Sequence, residues 1–130
     1  MSFTFSRDQR LCSAADFKRV FDGTDIKVSC RELLILAAAN GAESPRLGLV
    51  VAKKNIRSAI GRNRAKRHIR ETFRLHQEEI GGLDVVVLVR KSFGELEDTE
   101  LNRVLKKQWI RLSRRLTEWE KSGNRLAAEA

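Results

Sequence analysis

The 130-residue chain has no tyrosine, one proline, two cysteines and two histidines. Each shortage closes a class. Cys12 and Cys30 have no C-x-x-C spacing and no histidine cluster beside them, which argues against a zinc site. A domain of this length buries about two thirds of its extended-chain surface and needs no staple, so both are read as reduced thiols of a cytosolic protein. His68 and His76 are the only histidines, and the carboxylates are scattered. No nucleophile–base pair and no metal-ligating cluster can be assembled from them, so neither catalytic nor metal-binding residues are expected. The longest uninterrupted apolar run, Leu33–Ala39, falls far short of the roughly 20 residues of a membrane span. The first eight residues lack the apolar core of a signal peptide. A soluble, cytoplasmic protein with no membrane partner is expected.

What the chain does have is positive charge on a folding composition. Hydrophobic residues make up 42%, too many for a disordered basic tail. The net charge of +9 and a pI near 10.3 point to a polyanionic partner. The excess is local. Residues 1–52 carry seven basic and six acidic side chains, and residues 75–130 carry ten of each. Residues 53–74 carry nine basic side chains (Lys53, Lys54, Arg57, Arg62, Arg64, Lys66, Arg67, Arg70, Arg74) against one acid, Glu71.

The pattern predicts one domain over residues 1–130, with a loose tail from about 121. Ser13 to Asp16 has the form of a capping box, and Phe17, Val20 and Phe21 follow on one face of a helix over 14–22. Residues 31–39 and 46–53 read as an antiparallel pair of strands joined through Asn40-Gly41 and Pro45. A small strand at 27–28 precedes them. Ser58 caps a helix running to about Gln77 or Glu79. Asp84–Arg90 is a strand buried on both faces. A last helix opens at Asp98 or Thr99, with Leu101, Val104, Leu105, Leu112, Leu116 and Trp119 at helical spacing. The order is α-β-β-β-α-β-α, an α+β domain with helices packed on a sheet.

At 100° per residue, Arg62, Ala65, Ile69, Thr72, Phe73 and His76 fall on one stripe of the helix that Ser58 caps. Lys66, Arg67, Arg70 and Arg74 form a broad arc beside it. Arg62–Lys66, Lys66–Arg70 and Arg70–Arg74 are all like-charge pairs, each mildly destabilising on a helix. Basic residues at its start also oppose the helix dipole. Such an arrangement fits use on phosphates better than a solvated face, and the six arginines among the nine cations favour nucleic acid. On charge alone duplex DNA remains open, although a strand before the basic helix excludes a helix-turn-helix.

Arg46-Leu-Gly-Leu-Val-Val-Ala-Lys-Lys54, followed by Ala59-Ile-Gly-Arg-Asn-Arg-Ala-Lys-Arg-His-Ile-Arg-Glu-Thr-Phe-Arg74, resembles the bacterial ribonuclease P protein subunit. Arg62-Asn63-Arg64 with Lys66, Arg67, Arg70 and Glu71 is similar to that family's RNR motif. The likeness runs from Arg10-Leu11 to the strand at 84–90. It implies an α/β sandwich with a left-handed βαβ crossover, against the general right-handed preference. It implies a non-catalytic subunit of an endoribonuclease, a monomer in a one-to-one ribonucleoprotein, bound to RNA and not DNA. The partners would be a catalytic RNA that cleaves with Mg²⁺ and the 5′ leader of precursor tRNA.

The resemblance also assigns surfaces. Lys53, Lys54, Arg57, Arg62, Asn63, Arg64, Lys66, Arg67, Arg70 and Arg74 would face RNA. Phe17 and Phe21 match cleft aromatics where the leader lies, with Leu36 on a strand where some relatives place an aromatic residue. Ala52 stands where many relatives have serine. The cations of the last helix, from Arg103 to Arg115, are read as a solvated face because acids balance that region. The competing classes are a general RNA-binding or ribosomal-type structural protein and an autonomous metal nuclease.

Overall fold

The computed structural model describes residues 9–123. Helix α1 spans Ala14–Asp22, strands β1, β2 and β3 span Ile26–Ser29, Leu33–Ala39 and Arg46–Val50, helix α2 spans Ala59–Ile80, β4 spans Leu83–Val89 and α3 spans Asp98–Lys121. The expected α+β domain and its element order are what the chain adopts. A short 3-10 helix at Lys91–Glu95 joins β4 to α3. Lys121 still belongs to α3, and most of the expected tail lies outside the described residues.

The four strands form one sheet in the order β1-β2-β4-β3. The antiparallel pairing expected between β2 and β3 does not occur. β4 lies between them, antiparallel to β2 from Leu33↔Val89 to Ala39↔Leu83 and parallel to β3 from Arg46↔Asp84 to Val50↔Leu88. The reason is the apolar run of β4. All its residues except Leu88 are buried, and only a central position covered on both faces satisfies that. The connection 40–45 therefore steps over the start of β4, spanning two inter-strand spacings of about 4.8 Å each. It does so at Gly82, where an added Cβ would lie 2.0 Å from the Ala42 carbonyl oxygen.

Alternation along the strands sends side chains to two cores. On one face Val28, Ile35, Ala37, Leu47, Val85 and Val87 pack with Ala65, Ile69 and Phe73 of α2 and Leu101, Leu105, Trp109 and Leu112 of α3. Trp109 meets Phe73 edge-on with ring centroids 5.6 Å apart, and its indole N–H donates to Thr72 Oγ1 at 2.8 Å. The sequence pattern had Val104 and Trp119 on the buried stripe of α3. Gln108 and Trp109 take the deeper positions, and Trp119 packs at the core's margin. On the other face α1 places Val20 and Phe17 over Ala38 and Val86. Helices thus cover both faces of the sheet, with α1 alone on one side.

Both expected caps form. The Ser13 hydroxyl accepts from the Asp16 N–H at 3.1 Å, and the Ser58 hydroxyl accepts from the Gly61 N–H at 2.9 Å. α2 has no acid in its first turn, so packing of its apolar stripe, not its own electrostatics, holds it helical.

Candidate nucleic-acid interface

The nine cations of residues 53–74 divide into two groups. Three are held within the protein. The Arg62 guanidinium turns back to donate to the carbonyls of Ile56 at 3.1 Å and Arg57 at 2.7 Å. This answers the placement of Arg62 on the apolar stripe: it secures the loop before its own helix. Arg64 donates to Asp98 Oδ1 and to the Leu96 carbonyl, both at 2.6 Å, and so fastens α2 to the start of α3. That hydrogen bond is the main cause holding the Asp98 carboxyl below its ordinary range. Arg74 pairs with Glu71.

The other six are Lys53, Lys54, Arg57, Lys66, Arg67 and Arg70. Among the described residues none of the six enters an ion pair. Lys53, Lys54 and Arg57 are exposed on the loop between β3 and α2, and Asn63 and Arg67 are exposed on the helix. Their direction follows from the neighbours of α2. Gln77 hydrogen-bonds Gln9 at 2.6 Å, and Arg10 bridges Leu47 along the free edge of β3. The side of α2 bearing Lys66 and Arg70 therefore looks past the β3 edge, away from α3. Arg70 is half-buried there. Burial first, and then the neighbouring Arg10 charge, lower its pKa. An arriving phosphate would offset both.

The expected cleft residues lie on the α1 face. Phe17 is half-buried with its ring against Gly48, where an added Cβ would meet ring carbons at 2.7 and 2.8 Å. Phe21 is 42% exposed. Leu36 is half-buried and packs at the margin of this smaller core together with Val50 and Leu88. The register adds residues that the sequence pattern missed. Leu34, Leu88 and Val50 sit side by side across three strands, all half-buried. They form an apolar floor beyond the Phe17 ring that α1 leaves uncovered. Following β3, this floor leads to Lys53 and Lys54. Strand alternation carried that signal, but only the order β2-β4-β3 brings the three together.

Other residues prove structural. Asp25 accepts from the Ala39 N–H at 3.0 Å and closes the end of the β1–β2 ladder. His76 is half-buried with Nδ1 2.9 Å from the Thr72 carbonyl. His68 lies between Asn102, 2.9 Å from Nδ1, and Asp98, 3.2 Å from Nε2. Among the described residues no three His, Cys, Asp or Glu side chains come together as a metal site. The arrangement offers cations for phosphates and an apolar floor with a ring at its end for bases.

Comparison with known proteins gives the same direction. The family model described as Ribonuclease P matches residues 5–113. The chain is 49% identical over 114 residues to the ribonuclease P protein component of Pseudomonas putida, covering 88% of this chain and 86% of that one. It is 47% identical to that of Azotobacter vinelandii, covering 88% of each. Among solved structures, the RNase P protein of Staphylococcus aureus matches with a TM-score of 0.73 at 28% identity, over 79% of this chain and 94% of that one. That of Thermotoga maritima matches with a TM-score of 0.67 at 30% identity, over 82% and 96%.

Proposed function

The chain belongs to the ribonuclease P protein family, and from that premise we propose how it serves tRNA 5′ maturation: as the non-catalytic subunit that docks a catalytic RNA and steadies the leader of precursor tRNA. The observation that carries this reading is that an open apolar floor headed by Phe17 runs along β3 to Lys53 and Lys54, the first of six cations outside ion pairs that continue through Arg57 onto α2. Lys53, Lys54, Arg57, Lys66, Arg67 and Arg70 neutralise phosphates of the catalytic RNA, with Asn63 beside them. Arg62, Arg64 and Arg74 act at the same surface chiefly by holding its shape. The leader lies on the floor of Leu34, Leu36, Leu88 and Val50, with Phe17 and Phe21 meeting its bases. Base–aromatic stacking contributes about 1–3 kcal/mol and tolerates any sequence, which suits a variable strand.

Hydrolysis is the work of the RNA, whose Mg²⁺ supplies charge stabilisation at the cleaved phosphate. In this reading the ion is held mainly by the RNA. The protein's cations take over part of the phosphate screening, which lowers the magnesium that the RNA needs. No helix among the described residues is long and apolar enough to cross a membrane. A monomer in a one-to-one complex in the cytoplasm fits this role.

The test compares precursor and mature tRNA bound to the reconstituted ribonucleoprotein. Phe21→Ala, on a side chain that is 42% exposed, and Phe17→Ala should each weaken the precursor complex by roughly tenfold. The mature complex should be unchanged. Equal loss on both substrates would overturn the leader assignment. Cleavage by RNA-free protein would overturn the non-catalytic role.

A further inference from the structure

Between Glu100 and Glu118 the last helix carries six cations and no carboxylate. The structure separates them by use. Arg111 reaches the Ser29 carbonyl at 3.2 Å and Gln108 Oε1 at 2.6 Å, and Arg115 donates to the Lys27 carbonyl. These two cover the β1 edge of the sheet, a normal defence of an exposed strand. Arg103, Lys106, Lys107 and Arg114 do not take part in this. All four are exposed, and among the described residues none is in an ion pair.

Their placement makes one face. Leu101, Leu105, Trp109, Leu112 and Leu116 are buried against the sheet and α2. At 100° per residue the four cations centre on the opposite side of the helix. Arg103 and Lys107 are an i,i+4 like-charge pair, and Lys107 and Arg111 are another, each unfavourable without a counter-anion. Arg103 to Arg114 covers about 16 Å of rigid helix. Glu100, which bounds the face on one side, is tied into the capping box of α3 through the Glu97 N–H. The face is also separate from the α2 surface. α3 packs over β1 and α2 over β3, which are the two opposite edges of the sheet.

The chemistry of this face differs from that of the cleft. The one aromatic residue of the stretch, Trp109, is fully buried, so no ring is offered for stacking an unpaired base. Recognition of single strands relies on such rings. Recognition of double-helical RNA relies on backbone and shape. We propose that the exposed face of α3 is a second RNA-binding surface, one that grips the phosphate backbone of a double-helical RNA segment through Arg103, Lys106, Lys107 and Arg114. This goes beyond the docking surface on α2. It rests on the functional reading only in taking RNA as the polyanion.

The experiment uses the full-length protein with two probes, a blunt-ended RNA duplex and a uridine oligomer of equal length. Replacing all four residues by Gln should lower the slope of log affinity against log salt on the duplex by about three. The slope on the oligomer should be unchanged. An unchanged duplex slope would overturn the proposal and leave a solvated face, and equal loss on both probes would overturn the duplex assignment. Should the quadruple variant not fold, lysine acetylation of the unaltered protein decides the matter. Duplex RNA should protect Lys106 and Lys107, and unprotected lysines would overturn the proposal. The same footprint on a Lys66→Gln, Arg67→Gln protein should persist, so loss of the α2 reading and loss of this one are read separately.

Discussion

Asp84 shows how much one side chain holds in place. It is 1% exposed and accepts from Arg46 Nε at 2.8 Å, Arg46 Nη2 at 2.6 Å, Arg19 Nη2 at 2.9 Å and Asn40 Nδ2 at 3.0 Å. It therefore joins α1, the end of β2, β3 and β4, and keeps Phe17 over Gly48. Burial by itself pushes the Asp84 carboxyl up, but the hydrogen bonds from Arg46, Asn40 and Arg19 outweigh it, and the net shift is downward. A depressed pKa means that the unfolded chain binds the proton first. The stability this gives is fully present above the ordinary carboxylate value of about 3.9 and is lost as pH falls through the lower folded value. Asp84→Asn should cost about 3 kcal/mol at neutral pH, since it leaves the partly buried Arg46 charge with only Asp16, 3.9 Å away, opposite it. Urea denaturation across the acid range should show a shallower loss of stability in the variant than in the parent. Parallel curves would mean that other carboxylates carry the acid sensitivity. The sequence contained a hint of this site. A carboxylate at the head of an otherwise apolar strand either breaks the strand or finds partners. What the sequence could not supply was which cations, because Arg19 and Arg46 lie 65 and 38 residues away.

At the scale of elements, the helices were legible and the strand order was not. Ser13 and Ser58 marked two helix starts because capping is a local interaction within three residues. The apolar stripe of α2 fixed which side meets the sheet, and its cationic arc followed from the same periodicity. Strand pairing is non-local. Asn40-Gly41 suggested a hairpin, yet the run Val85–Val89 outweighs it by requiring neighbours on both edges and cover on both faces. The deciding residue is Gly82, which no periodicity marks. The Asn40 N–H donates to the Gly82 carbonyl at 3.0 Å as the chain crosses above it, and there is no space there for a side chain. Gly82→Ala forces the crossing segment away from β4 by its backbone, which a flexible neighbour cannot absorb. We expect a loss of about 2–3 kcal/mol, in the range of overpacked cores. A thermal melt lowered by several degrees would bear this out. An unchanged melt for Gly82→Ala would mean that the connection does not pass this close in solution.

Over the whole molecule, the net charge of +9 resolves into working parts. Of the nine cations on residues 53–74, Arg62, Arg64 and Arg74 are engaged within the protein, and six remain for phosphates. That count fixes a measurable quantity. Neutralising about six phosphates at this surface contributes a log–log salt slope near five, taking the duplex-DNA relation as a guide, or about a thousandfold loss of RNA affinity between 50 and 200 mM salt, to which contacts of the α3 face add. The partition also sets two arginines of the same motif apart, although the sequence treats them alike. Arg67 is exposed and outside ion pairs, so Arg67→Ala should lower the slope by about one and leave the melting temperature unchanged. Arg64 is fastened to Asp98 and the Leu96 carbonyl, so Arg64→Ala should lower the melting temperature and loosen the start of α3, with a smaller change in slope. Titrating RNA at several salt concentrations, alongside a thermal melt of each variant, separates the two effects. If both variants changed the slope equally with no change in melting, the Arg64 contacts would be exchanged for phosphate when RNA binds. The docking surface would then hold seven cations, and its contribution to the slope of the parent protein would rise to about six.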